Sequence, residues 1–209
     1  MKLDWLRHRA GATEAIVIFT GWAIGPQVWT HLETEADLLL VSDYRTLDLN
    51  LPDLGRYRCR SLVAWSFGVA SYALWQATRP DPFQRKVAIC GSTAPVNRLT
   101  GIAPQIMQMT IDGLSEASFQ HFLTRCFGSG QPRHPIDVAA RRTELEAIRA
   151  RDYTAPTQHW DRVWIGAEDR IFPLASMNRA WADAGDAPRV IDAPHAPFGR
   201  WARFAELLA

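Results

Sequence analysis

Three residues of the chain have the types and order for nucleophilic chemistry: Ser66 in "AWSFGVA", Asp169 in "VWIGAEDRIFP" and His195 in "VIDAPHAPF". A serine hydroxyl attacks poorly until a base takes its proton, and an imidazole base needs a carboxylate to fix its tautomer. Such a set performs acyl transfer. Ser66 sits between the apolar run 61–65 and the amphipathic stretch 67–79, which puts it on a strand-to-helix turn. Strand and helix crowd together there, so the residues two before and two after the nucleophile must be small. Ala64 and Gly68 meet that demand. A serine in this place could also do no more than cap the helix that follows. Chain order favours the nucleophile, because nucleophile, acid and base follow in the sequence Ser, Asp, His, each after a strand. Glu168 is one residue from Asp169 and is the weaker choice of acid. Asp192 belongs to the incoming strand and is expected to point away. His8, His31, His121, His134 and His159 take ordinary surface or core-edge roles, and no pair has metal-ligand spacing, so no metal is expected.

An acyl transfer site also needs donors for the developing oxyanion. The Phe67 N–H stands at the start of the helix after the serine, where it can serve. A second donor is expected in the loop after strand 14–19, which reads "TGWAIG". Gly21 permits a tight turn there, and the N–H of Trp22 is the natural donor. A backbone donor leaves the Trp22 side chain free to line a pocket.

These residues require a scaffold that delivers loops to one edge. Apolar runs at 14–19, 37–44, 61–65, 86–91, 161–166 and 188–193 read as strands buried on both faces. Helices are expected at 26–36, 67–79, 174–184 and 198–208. The alternation predicts an α/β fold with a mostly parallel central sheet and helices on both faces. From about 96 to 153 no strand is evident, only helical stretches, which suggests one domain over 1–209 with a helical cap inserted. Ligand sites of such sheets lie at the carboxyl ends of strands, where Asp169 and His195 fall.

Composition is that of a globular protein, with 47% hydrophobic and 22% charged residues and a net charge of +1. Nucleic acid and membrane are therefore not expected partners. The N-terminus lacks a secretory h-region, and the three widely spaced cysteines make no disulfide framework, so a cytoplasmic protein is expected.

The segments "GWA" (21–23), "SDYR" (42–45), "AWSFGVA" (64–70), "CGSTAPVNRLTGI" (90–102) and "DAPHAPF" (192–198), in this order, resemble the BioG-type pimeloyl-[acyl-carrier protein] methyl ester esterases of biotin synthesis. Ala23 stands at the third position of that family's usual "GWG", where the motif has its second glycine. The resemblance implies an α/β-hydrolase fold and a Ser66–Asp169–His195 triad. It also implies hydrolysis of the carrier-bound methyl ester to methanol and pimeloyl-acyl carrier protein, without a cofactor. The partner is then an acidic acyl carrier protein, and the enzyme is expected to act as a monomer. In the cap, Ile102, Ile106, Met107, Met109, Phe119, Phe122, Leu123 and Phe127 could wall a channel for the acyl chain or form the cap's own core. Trp22, Met107, Phe122 and Phe127 are the candidate substrate contacts. Arg142 and Arg149, seven apart on a helix over 136–152, are the candidate carrier contacts, although Glu144, Glu146 and Asp152 dilute their charge. A general small-ester carboxylesterase, an acyl thioesterase, or a catalytically dead hydrolase-fold binding protein would share much of this pattern.

Overall fold

The computed structural model describes residues 1–154 and 158–209. Seven strands form one sheet: β1 (Lys2–Arg7), β2 (Glu14–Phe19), β3 (Asp37–Ser42), β4 (Cys59–Trp65), β5 (Arg85–Ile89), β6 (Arg162–Gly166) and β7 (Pro188–Ile191), in the spatial order β1-β3-β2-β4-β5-β6-β7. Only β1 runs antiparallel, pairing with β3 from Lys2 opposite Ser42. The other pairs are parallel. Alternate residues of each central strand feed two separate cores. Val17, Phe19, Leu62 and Ala64 pack on one face, while Ile18, Val63, Trp65 and Ile89 pack on the other. This two-faced burial explains the continuous apolar runs.

The helices are α1 (Phe67–Gln76), α2 (Pro104–Asp112), α3 (Glu116–Phe127), α4 (Val138–Arg149), α5 (Leu174–Ala180) and α6 (Phe204–Leu208). Helices α2 to α4 all fall between β5 and β6, inside the stretch 96–153. Asp137 caps α4 by accepting from the Ala140 N–H at 3.0 Å, and Ser115 caps α3 in the same way. Among the described residues, no helix is long and apolar enough to cross a membrane.

Two expected helices are corrected. Residues 26–36 hold a single 3₁₀ turn, Pro26–Trp29, and residues 198–208 hold a 3₁₀ turn, Phe198–Arg200, followed by the short α6. One bridge accounts for both. Glu33 pairs with Arg203, its N–H donating to Ala202 O at 2.9 Å and its carbonyl accepting from Phe204 N–H at 3.1 Å. Backbone groups engaged in that bridge cannot also serve a helical ladder. The helix expected over 174–184 is shorter, ending at Ala180 just before Gly185 adopts a φ of 58°. Strand β1 is an addition to the expected set: a half-exposed edge strand carries no continuous apolar run to mark it.

Candidate active site

Among the described residues, four non-glycine residues adopt positive φ: Ala23, Asp43, Ser66 and Cys90. Each lies just beyond the carboxyl end of β2, β3, β4 or β5, so backbone strain collects along one edge of the sheet. Ser66, with φ 58° and ψ −126°, forms the sharp turn into α1. Its N–H donates to Ile89 O at 2.9 Å, which ties the turn to β5. The tight packing there is explicit at Gly68. A Cβ on that residue would stand 2.1 Å from the carbonyl oxygen of Phe19. Any larger residue would force α1 away from β2.

The structure brings Ser66, His195 and Asp169 together. His195 Nδ1 lies 2.8 Å from Asp169 Oδ2, and His195 Nε2 lies 3.0 Å from Ser66 Oγ. An ionised carboxylate only accepts, so Nδ1–H donates to Asp169 and Nε2 is left to accept from the serine hydroxyl. Asp169 Oδ1 accepts from the N–H groups of Ile171 and Phe172, at 2.7 and 2.8 Å, which fixes the carboxylate from behind. His195 is 1% exposed. Phe172 stacks on its ring with an interplanar angle of 12°, and Trp65 Nε1–H donates to its carbonyl at 2.9 Å. The ring is thus held by its edge, its face and its backbone. Glu168, by contrast, is exposed and makes no part of this set.

Cys90 lies close by, with its sulfur within 4.8 Å of ligand atoms on Asp169 and His195. Burial pushes the Cys90 thiol well above its ordinary range, so it packs there as a neutral group.

Ser66 opens into a narrow cavity of about 60 Å³. Trp22 and Phe67 line it beside the serine, and among the described residues neither backbone N–H has a hydrogen-bond acceptor. The candidate oxyanion donors therefore belong to residues lining the same cavity as Ser66, with their N–H groups unspent. The segment between β5 and β6 contributes Ile102, Ile106, Met107 and Phe122 to the cavity, joined by Leu145 of α4.

The eight apolar residues considered for the acyl channel divide. Those four line the cavity, whereas Phe119 and Leu123 are buried in the core. Phe119 packs edge-on against Trp22 at 5.8 Å. Met109 is exposed, and Phe127 faces a different cavity, of about 410 Å³, which does not reach Ser66. Phe127 thus does not line the Ser66 cavity, because the last turn of α3 carries it past.

The two candidate carrier arginines differ in their surroundings. The Arg142 guanidinium donates to the carbonyls of Ile111, Asp112 and Leu114, capping the end of α2, so it is spent within the protein. Arg149 is exposed and is not among the residues lining the Ser66 cavity. The arginines that do line it are Arg125 and Arg170. Sequence reasoning misses both, although signals exist. Arg170 directly follows the candidate acid, and Arg125 is three residues beyond Phe122, on the same helical face.

Comparison with known proteins places these features. A malonyl-[acyl-carrier protein] O-methyltransferase of Bacteroides fragilis is 34% identical over 185 residues, which is 80% of this chain and 36% of that protein. The chain thus spans about a third of the length of that relative. BioG from Haemophilus influenzae superposes with a TM-score of 0.88 over 100% of both chains, at 27% identity. A hydrolase from Oleispira antarctica superposes at 0.64 over 94% of this chain and 88% of its own, at 11% identity, and shares the α/β-hydrolase fold alone. Residues 1–207 match the family described as pimeloyl-ACP methyl esterase BioG, and to that family the chain belongs.

Proposed function

We propose that the chain is a serine esterase that hydrolyses the methyl ester of pimeloyl-acyl carrier protein, with Ser66 as nucleophile, His195 as base and Asp169 as orienting acid. The observation that carries this reading is the continuous Ser66–His195–Asp169 contact, at 3.0 and 2.8 Å, at the base of an apolar cavity. Family membership supports the substrate class, and the relative named as an acyl-carrier-protein O-methyltransferase supports methyl ester chemistry on a carrier-bound acid.

The geometry suits a two-step reaction. Ser66 Oγ attacks the ester carbonyl carbon while His195 Nε2 takes its proton. The carbonyl π electrons move to oxygen, and the N–H groups of Trp22 and Phe67 hold the resulting oxyanion, each worth roughly 3 kcal/mol of barrier. Collapse breaks the bond to the methoxy oxygen, His195 returns the proton, and methanol leaves. Water then attacks the acyl-serine, with His195 again as base, releasing the carboxylate and restoring Ser66. Asp169 stabilises the imidazolium formed in each step.

In this reading the segment 96–153 acts as a cap. Ile102, Ile106, Met107 and Phe122 enclose the methylene chain, and Arg125 and Arg170 face the anionic carrier at the cavity mouth. The three free thiols suit a reducing compartment. Ser66→Ala is the direct test. Loss of all turnover on the carrier-bound methyl ester is expected, and retained turnover would reassign the nucleophile.

A further inference from the structure

The esterase reading makes no use of three inward-facing polar residues, Tyr44, Arg141 and Glu144. Tyr44 and Glu144 are fully buried, though neither touches the Ser66 cavity. Their hydrogen bonds nevertheless lead back to the loop that carries Trp22. The Tyr44 O–H donates to the Thr20 carbonyl at 2.6 Å, two residues before Trp22. The Tyr44 N–H donates to Glu144 Oε1 at 2.8 Å, and Arg141 Nη1 donates to Glu144 Oε2 at 2.5 Å. The carbonyl of Arg141 in turn accepts from the Trp22 indole N–H at 3.1 Å. A closed ring results, running from Trp22 through Arg141, Glu144 and Tyr44 to Thr20, and back along the chain to Trp22.

The ring grips the loop at two points, one before the donor and one on the donor's own side chain. That loop is built from residues with little shape of their own. It contains Gly21 and Gly25, and Ala23 between them sits at a φ of 58°. Oxyanion donors are effective only when fixed before the charge develops, and small misplacements cost large rate factors. Glu144 also neighbours Leu145, which lines the Ser66 cavity, so the helix touching the substrate space is the one that clamps the loop.

We infer that Glu144 and Tyr44 are positioning residues that hold the Trp22 N–H in the oxyanion site, acting through the loop and not on the substrate. The inference rests on the role proposed above for Trp22. Burial pushes the Glu144 carboxyl up on balance, against the opposing pull of the Arg141 charge and the Tyr44 N–H.

The test uses Tyr44→Phe and Glu144→Gln in the full chain, assayed on p-nitrophenyl butyrate beside wild type and Ser66→Ala. Tyr44→Phe removes the hydroxyl's short bond to Thr20 O and its longer contact of 3.3 Å with Val41 O, and no volume that matters. Its kcat should fall roughly tenfold, with KM changed less than about threefold, because the loss is confined to the transition state. Affinity for an arylboronic acid, which forms a tetrahedral adduct on serine, should fall by the same factor. Glu144→Gln should do the same and more. Combining the two should cost less than the product of the single effects, because both loosen one ring. Should Glu144→Gln fail to fold, Tyr44→Phe decides alone. A folded Tyr44→Phe with kcat within about twofold of wild type, or with unaltered boronate affinity, overturns the inference. A lowered melting temperature with normal kcat would likewise mark the ring as structural cement only. Activity retained in Ser66→Ala would overturn the esterase reading instead.

Discussion

Asp37 and Asp169 are both buried aspartates that accept three hydrogen bonds, and they occupy opposite ends of the sheet. Asp37 opens β3 at the amino edge and accepts from the Arg9 N–H at 2.8 Å, the Tyr57 O–H at 2.7 Å and Arg56 Nη2 at 3.0 Å. Asp169 follows β6 at the carboxyl edge and accepts from two backbone N–H groups and His195. The carboxylates are alike, so the difference lies in what each one holds. Arg56 keeps its charge, and burial pushes the Tyr57 phenol up, so neither relays a proton near neutral pH. His8 touches not Asp37 but the Arg56 guanidinium, at 2.5 Å, and acts on the carboxylate only through space. Asp169 holds an imidazole whose far nitrogen meets a hydroxyl on a strained turn beside a cavity. A buried carboxylate becomes chemical only when its partner can gain and lose a proton next to space for a substrate.

Substituting each aspartate in turn should break the comparison cleanly. Asp169→Asn should lower kcat by about 10⁴-fold, by stabilising the wrong imidazole tautomer, with the melting temperature little changed. Asp37→Asn should do the reverse. It removes a buried negative charge paired with Arg56 and should cost about 2 kcal/mol of stability in urea unfolding, while kcat per folded molecule stays within about twofold. A large activity loss at Asp37 would mean that the two ends are coupled. Charge reversal at the cavity mouth, Arg125→Glu with Arg170→Glu, should raise KM for the carrier-bound ester by about tenfold, and for a free short-chain ester by less.

The smallest effect sharpens the contrast through pH. Burial raises the Asp37 carboxyl, but the Tyr57 hydroxyl, the Arg9 N–H and the charges of His8 and Arg56 outweigh it and hold it below its ordinary 3.8. A lowered carboxyl stabilises fully above the unfolded value and loses that contribution as pH falls through the folded one. The stability gap between wild type and Asp37→Asn should therefore be constant above about pH 4 and close below 3.8. Glu144 has the opposite sign. Its raised carboxyl costs stability as pH climbs above 4.5 through its folded value.

Ser66 is legible in the sequence because strand-to-helix crowding writes itself into small neighbours, and Gly68 shows how little room exists. Asp169 and His195 are legible because chain order and strand ends restrict where an acid and a base can stand. The parallel strands are legible from their apolar runs. What escapes depends on long-range contacts with no local mark. The Glu33–Arg203 bridge cuts short two plausible helices, and nothing near either residue announces it. Arg142 looks like a docking residue on a helical face, yet its long side chain reaches the carbonyls at the end of α2. Arg125 and Arg170 converge on the cavity only once α3 and the loop after β6 are placed together. The ring through Tyr44 and Glu144 joins residues 100 apart and cannot be read from either.

The most direct test of the central claim is hydrolysis of pimeloyl-acyl carrier protein methyl ester, beside a free short-chain methyl ester, by wild type and Ser66→Ala. The account predicts turnover that favours the carrier-bound ester and vanishes in Ser66→Ala. Equal or faster turnover of the free ester would contradict the carrier-bound substrate, and activity surviving in Ser66→Ala would contradict the chemistry itself.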